Sequence, residues 1–270
     1  MSENVDIEDI HNALLEILID FDRICRKHNL TYYMLGGTLL GAVRHHGFIP
    51  WDDDIDVGMP RADYERFIRL PQIEFPQRLQ VWNLHKAPKK YMFNFSKLVD
   101  IETSMIPIEN PNYTIGVFLD IFPIDGTSKY VFFRKMQVKL IQFFQVLRSY
   151  KYLSKQNEIT SLKSLSMKSL SIIFSNHIHD LIDMLVTKFD FSTSLYVGNL
   201  LGVYGKKEIM SKYILGNPVE LEFEGYSFYA PQEYDLWLKN VYGDYMVLPP
   251  MDKRQMPHEY ISINLKHSCL

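Results

Sequence analysis

Apolar residues recur at helical spacing near the start of the chain: Ile7, Ile10, Leu14, Ile17, Leu18, Phe21 and Ile24 share one face of a 3.6-residue period over 6–28. Asp6, Glu8 and Asp9 at one end and Arg26, Lys27 and His28 at the other complement the helix dipole. This predicts an amphipathic packing helix. From Tyr32 the pattern changes to a short apolar strand that runs into Gly36-Gly37, followed by a helical segment carrying Arg44 and His45. A Pro50-Trp51 turn then delivers Asp52, Asp53, Asp54 and Asp56 within five positions. Pro60 and Arg61 open a second helix that reads through Leu70, while 79–84, 92–100 and 113–122 read as strands, the last carrying Asp120 and ending before Pro123. Long helical stretches rich in Phe, Leu, Ile and Tyr fill 128–179. Beyond them 195–204 reads as a strand, 219–229 as a hairpin turning at Glu224-Gly225, and 231–242 as a helix closed by Gly243. Pro249-Pro250 predicts an extended tail from Leu248 to His258 that crosses the surface.

The acidic run carries the chemistry. If Ile55, Asp56 and Val57 form a strand, Asp54 and Asp56 project from one face while Ile55 and Val57 are buried on the other. Two carboxylates on one face repel unless a cation sits between them, and hard oxygen ligands suit Mg2+ or Mn2+. Gly36 and Gly37 supply the complementary half, because without side chains the backbone N–H groups of Gly37 and Thr38 can approach a phosphate at a helix start. An isolated acidic run is also what a solvated turn looks like. The strand it leads into and the glycine–helix element before it point instead to a metal-dependent phosphate site. Lys97, in the strand preceding Leu98 and Val99, either faces the phosphates or is a solvated edge-strand lysine. Asp120, flanked by Leu119, Ile121 and Phe122, is a half-buried carboxylate that needs a partner.

Composition narrows the rest. With 270 residues, 47% hydrophobic and 23% charged, the chain has an ordinary globular composition, long enough for one large domain or a domain with an insertion. The acidic, polar start is unlike a secretory signal, and no apolar run approaches the roughly 20 residues of a membrane span. Cys25 and Cys269 form no disulfide framework or metal spacing, which fits a reducing cytoplasm. A net charge of -3 argues against a general nucleic-acid binder. Within 128–179, Lys129, Arg134, Lys135, Lys139, Arg148, Lys151, Lys155, Lys163 and Lys168 stand against the single acid Glu158. Such a basic, aromatic helix pair is either an insertion packed on the core or a surface that lies on an anionic membrane. The expected organisation is a catalytic core over 1–127, a basic helical insertion over 128–190 and a C-terminal part over 191–270 that completes the core.

Gly37-Thr38-Leu39-Leu40-Gly41-Ala42-Val43-Arg44-His45, with Gly47-Phe48-Ile49-Pro50-Trp51 and the acids through Asp56, resembles the signature of the LicD family, whose eukaryotic relatives include the fukutin-related proteins. The resemblance extends to 116–125 around Asp120, to 242–250, and to Lys253, Arg254 and His258, leaving the middle of the chain unmatched. It implies an α+β fold: a nucleotidyltransferase-like mixed sheet flanked by helices, here with a helical insertion. It also implies that Asp120 joins Asp52, Asp54 and Asp56 at Mg2+ or Mn2+, and that Asp120 accepts the proton of an acceptor hydroxyl. Arg44 or His45 would stabilise phosphate charge, and the tail would bring Lys253, Arg254 and His258 to a CDP-linked donor. The implied reaction moves phosphocholine from CDP-choline to a sugar hydroxyl of a lipid-linked teichoic acid or similar cell-surface glycan at the inner face of the membrane. Ribitol phosphate from CDP-ribitol is the alternative cargo, and an inactive glycolipid-binding adaptor at the membrane surface the alternative class. Choline would need aromatic faces, for which Trp51, Tyr226, Tyr229, Trp237, Tyr242 and Tyr245 are candidates.

Overall fold

Helix α1 (Ile7–Lys27) forms where the apolar period predicts it, with Asp6 before it and His28 after it. The computed structural model describes residues 5–88, 91–152 and 162–270. After α1 come β1 (Tyr33–Met34), α2 (Gly36–His45), β2 (Asp56–Pro60), α3 (Arg61–Ile68), β3 (Leu79–Trp82), β4 (Ser96–Asp100), β5 (Ser104–Pro107) and β6 (Phe118–Thr127). Helices α4 (Val131–Tyr152), α5 (Leu162–Ile173) and α6 (Ile178–Val186) follow, then β7 (Tyr196–Gly198), β8 (Ile209–Ser211), α7 (Lys212–Leu215), β9 (Val219–Phe223), β10 (Tyr226–Ala230), α8 (Tyr234–Tyr242) and β11 (Tyr260–Asn264). The result is the expected α+β architecture: a seven-stranded mixed sheet flanked by helices, with order β1-β2-β6-β4-β3, and with β7 and β8 continuing from the far half of β6. Among the described residues of this sheet, only β2 and β6 run parallel.

Strand β6 is the spine of the sheet, and it overruns the expected stop at Pro123. The reason is its choice of partners. Antiparallel β4 pairs with its first half as far as Ile121, and antiparallel β7 takes over at Asp125. Pro123 falls between them, where the ladder asks for no N–H on that side, so its missing donor costs nothing. Strand β4 is shorter than the 92–100 expected, because Asn94 turns aside to donate to Asp183 Oδ1 at 2.9 Å and to the His179 carbonyl at 3.1 Å in α6. The strand read over 195–204 closes after three residues, and the tail expected to be extended contains a 3-10 turn at Met251–Lys253. The hairpin at Glu224-Gly225 forms as read, with both residues at positive φ, the geometry of a tight two-residue turn.

Two apolar clusters hold the described residues. The larger packs α1, α2, α3 and α8 with the sheet and includes Phe21, Phe67, Trp82 and Trp237. The smaller gathers α4 and α6 around Val138, Ile141, Leu147, Ile178 and Ile182, against Phe95 and Phe122 of the sheet side. No described helix is long and apolar enough to cross a membrane.

Candidate active site

Backbone hydrogen bonds tie the start of α2 to the start of β2. Leu35 N–H donates to the Asp56 carbonyl at 3.0 Å, and Asp56 N–H donates to Thr38 Oγ1 at 2.9 Å. Buried Thr38 therefore ties the start of α2 to β2 through its hydroxyl oxygen. Ile55 and Val57 are fully buried while Asp52, Asp54 and Asp56 remain partly open, the alternation that a pleated strand requires. His11 Nε2 meets the Asp52 carbonyl oxygen at 2.7 Å and stacks on Phe48, so α1 braces the acidic turn from behind.

The sheet then lines up three charges. Asp56 is paired with Asp120 across β2 and β6, and Asp120 with Lys97 across β6 and β4. Neighbouring strands lie about 4.8 Å apart, so the three side chains form one row across the sheet. Lys97 Nζ donates to Asp120 Oδ1 at 2.5 Å and sits 3.5 Å from the centre of the Phe118 ring, with Phe93 and Phe95 beside it. Because β4 is an internal strand and Lys97 is only 4% exposed, the solvated edge-lysine alternative is excluded.

The glycine pair admits the chain's own carboxylates. A Cβ at Gly36 would lie 2.6 Å from Asp56 Oδ2, one at Gly37 would overlap Asp52 Oδ2, and Gly36 also has φ +55°. Both acids thus lie against the helix start, where the dipole favours negative charge. The tail reaches the same place: His258 Nδ1 lies 2.9 Å from Asp53 Oδ1 and 4.0 Å from Asp54 Oδ2. Arg254 lies over Trp51 with its Nε donating to the Pro249 carbonyl, whereas Lys253 is exposed on the 3-10 turn. Arg44 donates to the Tyr245 carbonyl at 2.8 Å, and His45 packs edge-on to Trp51.

Crowding shows in the protonation of these groups. Burial, then the neighbouring Asp54 and Asp53, push Asp52 up to about 7. Burial pushes Asp54 up to about 6 against the lowering effect of His258. Asp56 is raised well above the carboxylate range by burial and by Asp54, Asp120 and Asp52. Asp120 is also raised by burial, but Lys97 opposes the shift through its charge and its hydrogen bond. His258 moves the other way from a buried histidine: its hydrogen bond to Asp53 pushes it up to about 9, so it is cationic at neutral pH.

Several members of this site were not singled out from the sequence. Asp53 is buried, one oxygen faces His258, and Oδ2 has no hydrogen-bond partner. Tyr113 likewise has a buried hydroxyl without a partner. Glu208, from the 3-10 turn Gly205–Glu208, is pushed up to about 8 by burial, and Tyr204 donates its N–H to it at 3.2 Å. Tyr204 packs edge-on to Tyr242 at 5.2 Å, and the charges of Asp56 and Asp52 raise both hydroxyls further. Among the six aromatic candidates for choline, Trp237 is core, Tyr245 is buried with its hydroxyl on Asp235, Tyr229 lies under Arg26, and Tyr226 is exposed on the β9–β10 hairpin. Trp51 and Tyr242 remain near the acids.

Oxygen donors, shared negative charge and an orphaned buried carboxylate oxygen suit a hard divalent cation. As they stand, no three His, Cys, Asp or Glu side chains among the described residues form a finished coordination sphere. Asp120 is turned to Lys97 and Asp53 to His258, so a cation would have to draw the carboxylates together.

Comparison with known proteins covers this region and most of the chain. Residues 29–145 match the family model described as LicD/FKTN/FKRP, nucleotidyltransferase domain. The lipopolysaccharide cholinephosphotransferase LicD of Haemophilus influenzae is 32% identical over 254 residues, which span 90% of this chain and 92% of that protein. Uncharacterised proteins of Rickettsia typhi and Rickettsia prowazekii are 36% identical over 89 residues and 43% identical over 63 residues. Those segments cover 33% and 23% of this chain, and 28% and 24% of the two Rickettsia proteins.

Proposed function

The chain belongs to the LicD family and is a phosphotransferase, and on that premise we propose that it moves phosphocholine from CDP-choline to a sugar hydroxyl of a cell-surface glycan. The observation that carries the reaction is the row Asp56, Asp120, Lys97 at the edge of a carboxylate cluster. The acceptor hydroxyl oxygen attacks the phosphorus of the phosphocholine group, the bond from that phosphorus to the CMP oxygen breaks, and CMP leaves with the electron pair. Asp120 receives the hydroxyl proton; Lys97 equips it for this by favouring its ionised form against the pull of burial. Asp52, Asp54, Asp56 and Asp120 would hold Mg2+ or Mn2+, which would supply positive charge against the diphosphate. His258, cationic and drawn in by Asp53, adds a second positive group at the same mouth. The Tyr204–Tyr242 pair and Trp51 offer aromatic faces for the trimethylammonium group.

The Haemophilus relative is a lipopolysaccharide cholinephosphotransferase, which supports phosphocholine over ribitol phosphate. Its acceptor favours a lipopolysaccharide sugar, and teichoic acid is the second acceptor to try. We place the encounter at a membrane face, with the acceptor still on a lipid carrier. Phe132, Met136, Leu140 and Phe143 recur along α4 as an exposed apolar stripe beside Lys135 and Lys139, which supports peripheral contact with anionic lipid. Arg148 from the same basic segment is buried instead, and Lys155 and Glu158 lie outside the described residues. The test is incubation with CDP-choline and, separately, CDP-ribitol, with each acceptor, with and without Mg2+. CMP release from CDP-choline that requires both acceptor and Mg2+ is expected. CMP release from CDP-ribitol alone would transfer the assignment to ribitol phosphate, and none from either would support the adaptor.

A further inference from the structure

Strand β6 carries Asp120 at one end and Thr127 at the other, seven residues on, which is roughly 20 Å at about 3.3 Å per residue. Thr127 pairs there with Tyr196 of β7. Beside Tyr196 a cavity of about 200 Å³ opens between the start of α4 and the 3-10 turn Gly205–Glu208, lined by Val131, Arg134, Lys135, Tyr196, Lys206 and Ile209. Half of its lining side chains are cationic and none is acidic. The Arg134 guanidinium carbon lies over the Tyr196 ring, 4.0 Å from its centre. A guanidinium held over an aromatic ring by cation–π attraction still has N–H donors to offer a ligand. Val131 and Arg134 bring the N-terminal end of α4 to the same place, where the helix dipole adds positive potential.

We propose that this cavity binds a doubly charged phosphate monoester in the headgroup of a membrane lipid, at a site separate from the carboxylates. Three cations around one small space match the charge of such a group, about −1.5 to −2 at neutral pH. The volume suits a headgroup rather than a whole ligand, since pockets for drug-sized molecules span roughly 300–1,000 Å³. A lipid source follows from the neighbours: Phe132, 72% exposed, and Met136, 42% exposed, belong to the same first turns of α4 and would enter the acyl boundary as the phosphate enters the cavity. The lipid identity rests on the membrane contact proposed above. Binding is read without turnover, so failure here leaves the transferase assignment standing.

The experiment is co-sedimentation of the full chain with phosphatidylcholine vesicles carrying either phosphatidic acid or phosphatidylglycerol, matched for surface charge. Phosphatidic acid vesicles should bind about tenfold more tightly, the return on several charge-assisted hydrogen bonds to one phosphate. Lys135→Gln with Lys206→Gln changes two exposed side chains and should erase that preference while leaving weak binding through the apolar stripe. Arg134→Lys keeps the charge but loses the planar fork, and should erase most of it too. Equal binding of the two vesicles by the unaltered protein, or a preference that survives both variants, overturns the site. Soluble pyrophosphate, titrated by calorimetry, distinguishes the source: binding as tight as to vesicles and lost in the double variant overturns the lipid assignment.

Discussion

Asp120 must be ionised to accept a proton yet sits 9% exposed between apolar neighbours, and Lys97 is the group that reconciles the two. Asp120→Asn keeps the shape and one acceptor oxygen but loses the base, so kcat should fall about 100-fold or more, the usual range for general-base removal. Donor affinity, measured by calorimetry with CDP-choline, should change little; equal loss of affinity and rate would make Asp120 chiefly a ligand. Asp52 and Asp54 give a prediction of opposite character. Their folded-state values, about 7 and about 6, lie above the ordinary carboxylate value, so the folded chain holds these protons more tightly than the unfolded chain. The stability they contribute is complete below about pH 4 and lost as the pH rises through 6 to 7. Between pH 5 and 7.5 the melting temperature of the cation-free protein should therefore fall, at ~2–4 °C for each kcal/mol lost. Mn2+ should restore it, with a gain that grows with pH as the carboxylates ionise. A melting temperature indifferent to Mn2+ at pH 7.5 would remove the cation from the assignment. His258, raised to about 9 by its bond to Asp53, contributes stability that is complete below its ordinary value of 6.5 and is lost as the pH rises through 9, so it adds to the fall at the upper end of that window.

At the scale of elements, the junction of α2 with β2 depends on two glycines that meet carboxylates. Gly37→Ala suits a helix and need only displace the mobile end of Asp52, so stability should hold within about 1 kcal/mol while transfer fails. Gly36→Ala must also adopt φ +55°, which adds roughly 1 kcal/mol of strain, and it pushes on Asp56 in the sheet row. Thermal unfolding of the two variants beside CMP release checks the order; a more damaging Gly37→Ala would show that Asp52 is rigid. The same junction explains what was legible in advance. Period and acid spacing told Asp54 and Asp56 from Ile55 and Val57, because alternation is local and needs no knowledge of partners. Proline is costly in a central strand, so Pro123 reads as a stop, and the handover from β4 to β7 that spares it involves segments far apart in the chain. The β5–β11 pairing was invisible for the same reason, joining 104–107 to 260–264. Asp53 alternates away from Asp54, so strand logic set it aside; its partner His258 lies 205 residues on.

For the molecule as a whole, the question is how the helices α4–α6 are joined to the sheet that carries the site. One answer is a polar seam under Phe93. Arg148 of α4 donates to Asn94 Oδ1 at 3.3 Å and lies over Phe93, whose ring also faces Lys97. Asn94 continues to Asp183 and His179 of α6, and Tyr152 meets His179 Nε2 at 3.3 Å. Arg148 is poorly served in this seam. Burial lowers it to about 10, its Nε has no hydrogen-bond partner, and no carboxylate pairs with it among the described residues. A buried cation without an anion costs more in lost hydration than its few hydrogen bonds return, so an apolar side chain of similar length should do as well. Arg148→Met should leave the melting temperature unchanged or raise it, by up to about 1 kcal/mol of stability. Arg148→Ala removes the packing on Phe93 as well and should cost about 2 kcal/mol or more, the range for emptying a buried position. Because Phe93 also touches Lys97, the Met variant should shift the pH at which transfer sets in, with Asp120 responding to a changed neighbourhood around its lysine. Thermal unfolding and a pH–rate profile of the two variants decide the matter. If Met destabilises as much as Ala, the guanidinium itself binds the two halves together, and the seam is an electrostatic joint and not a packed one.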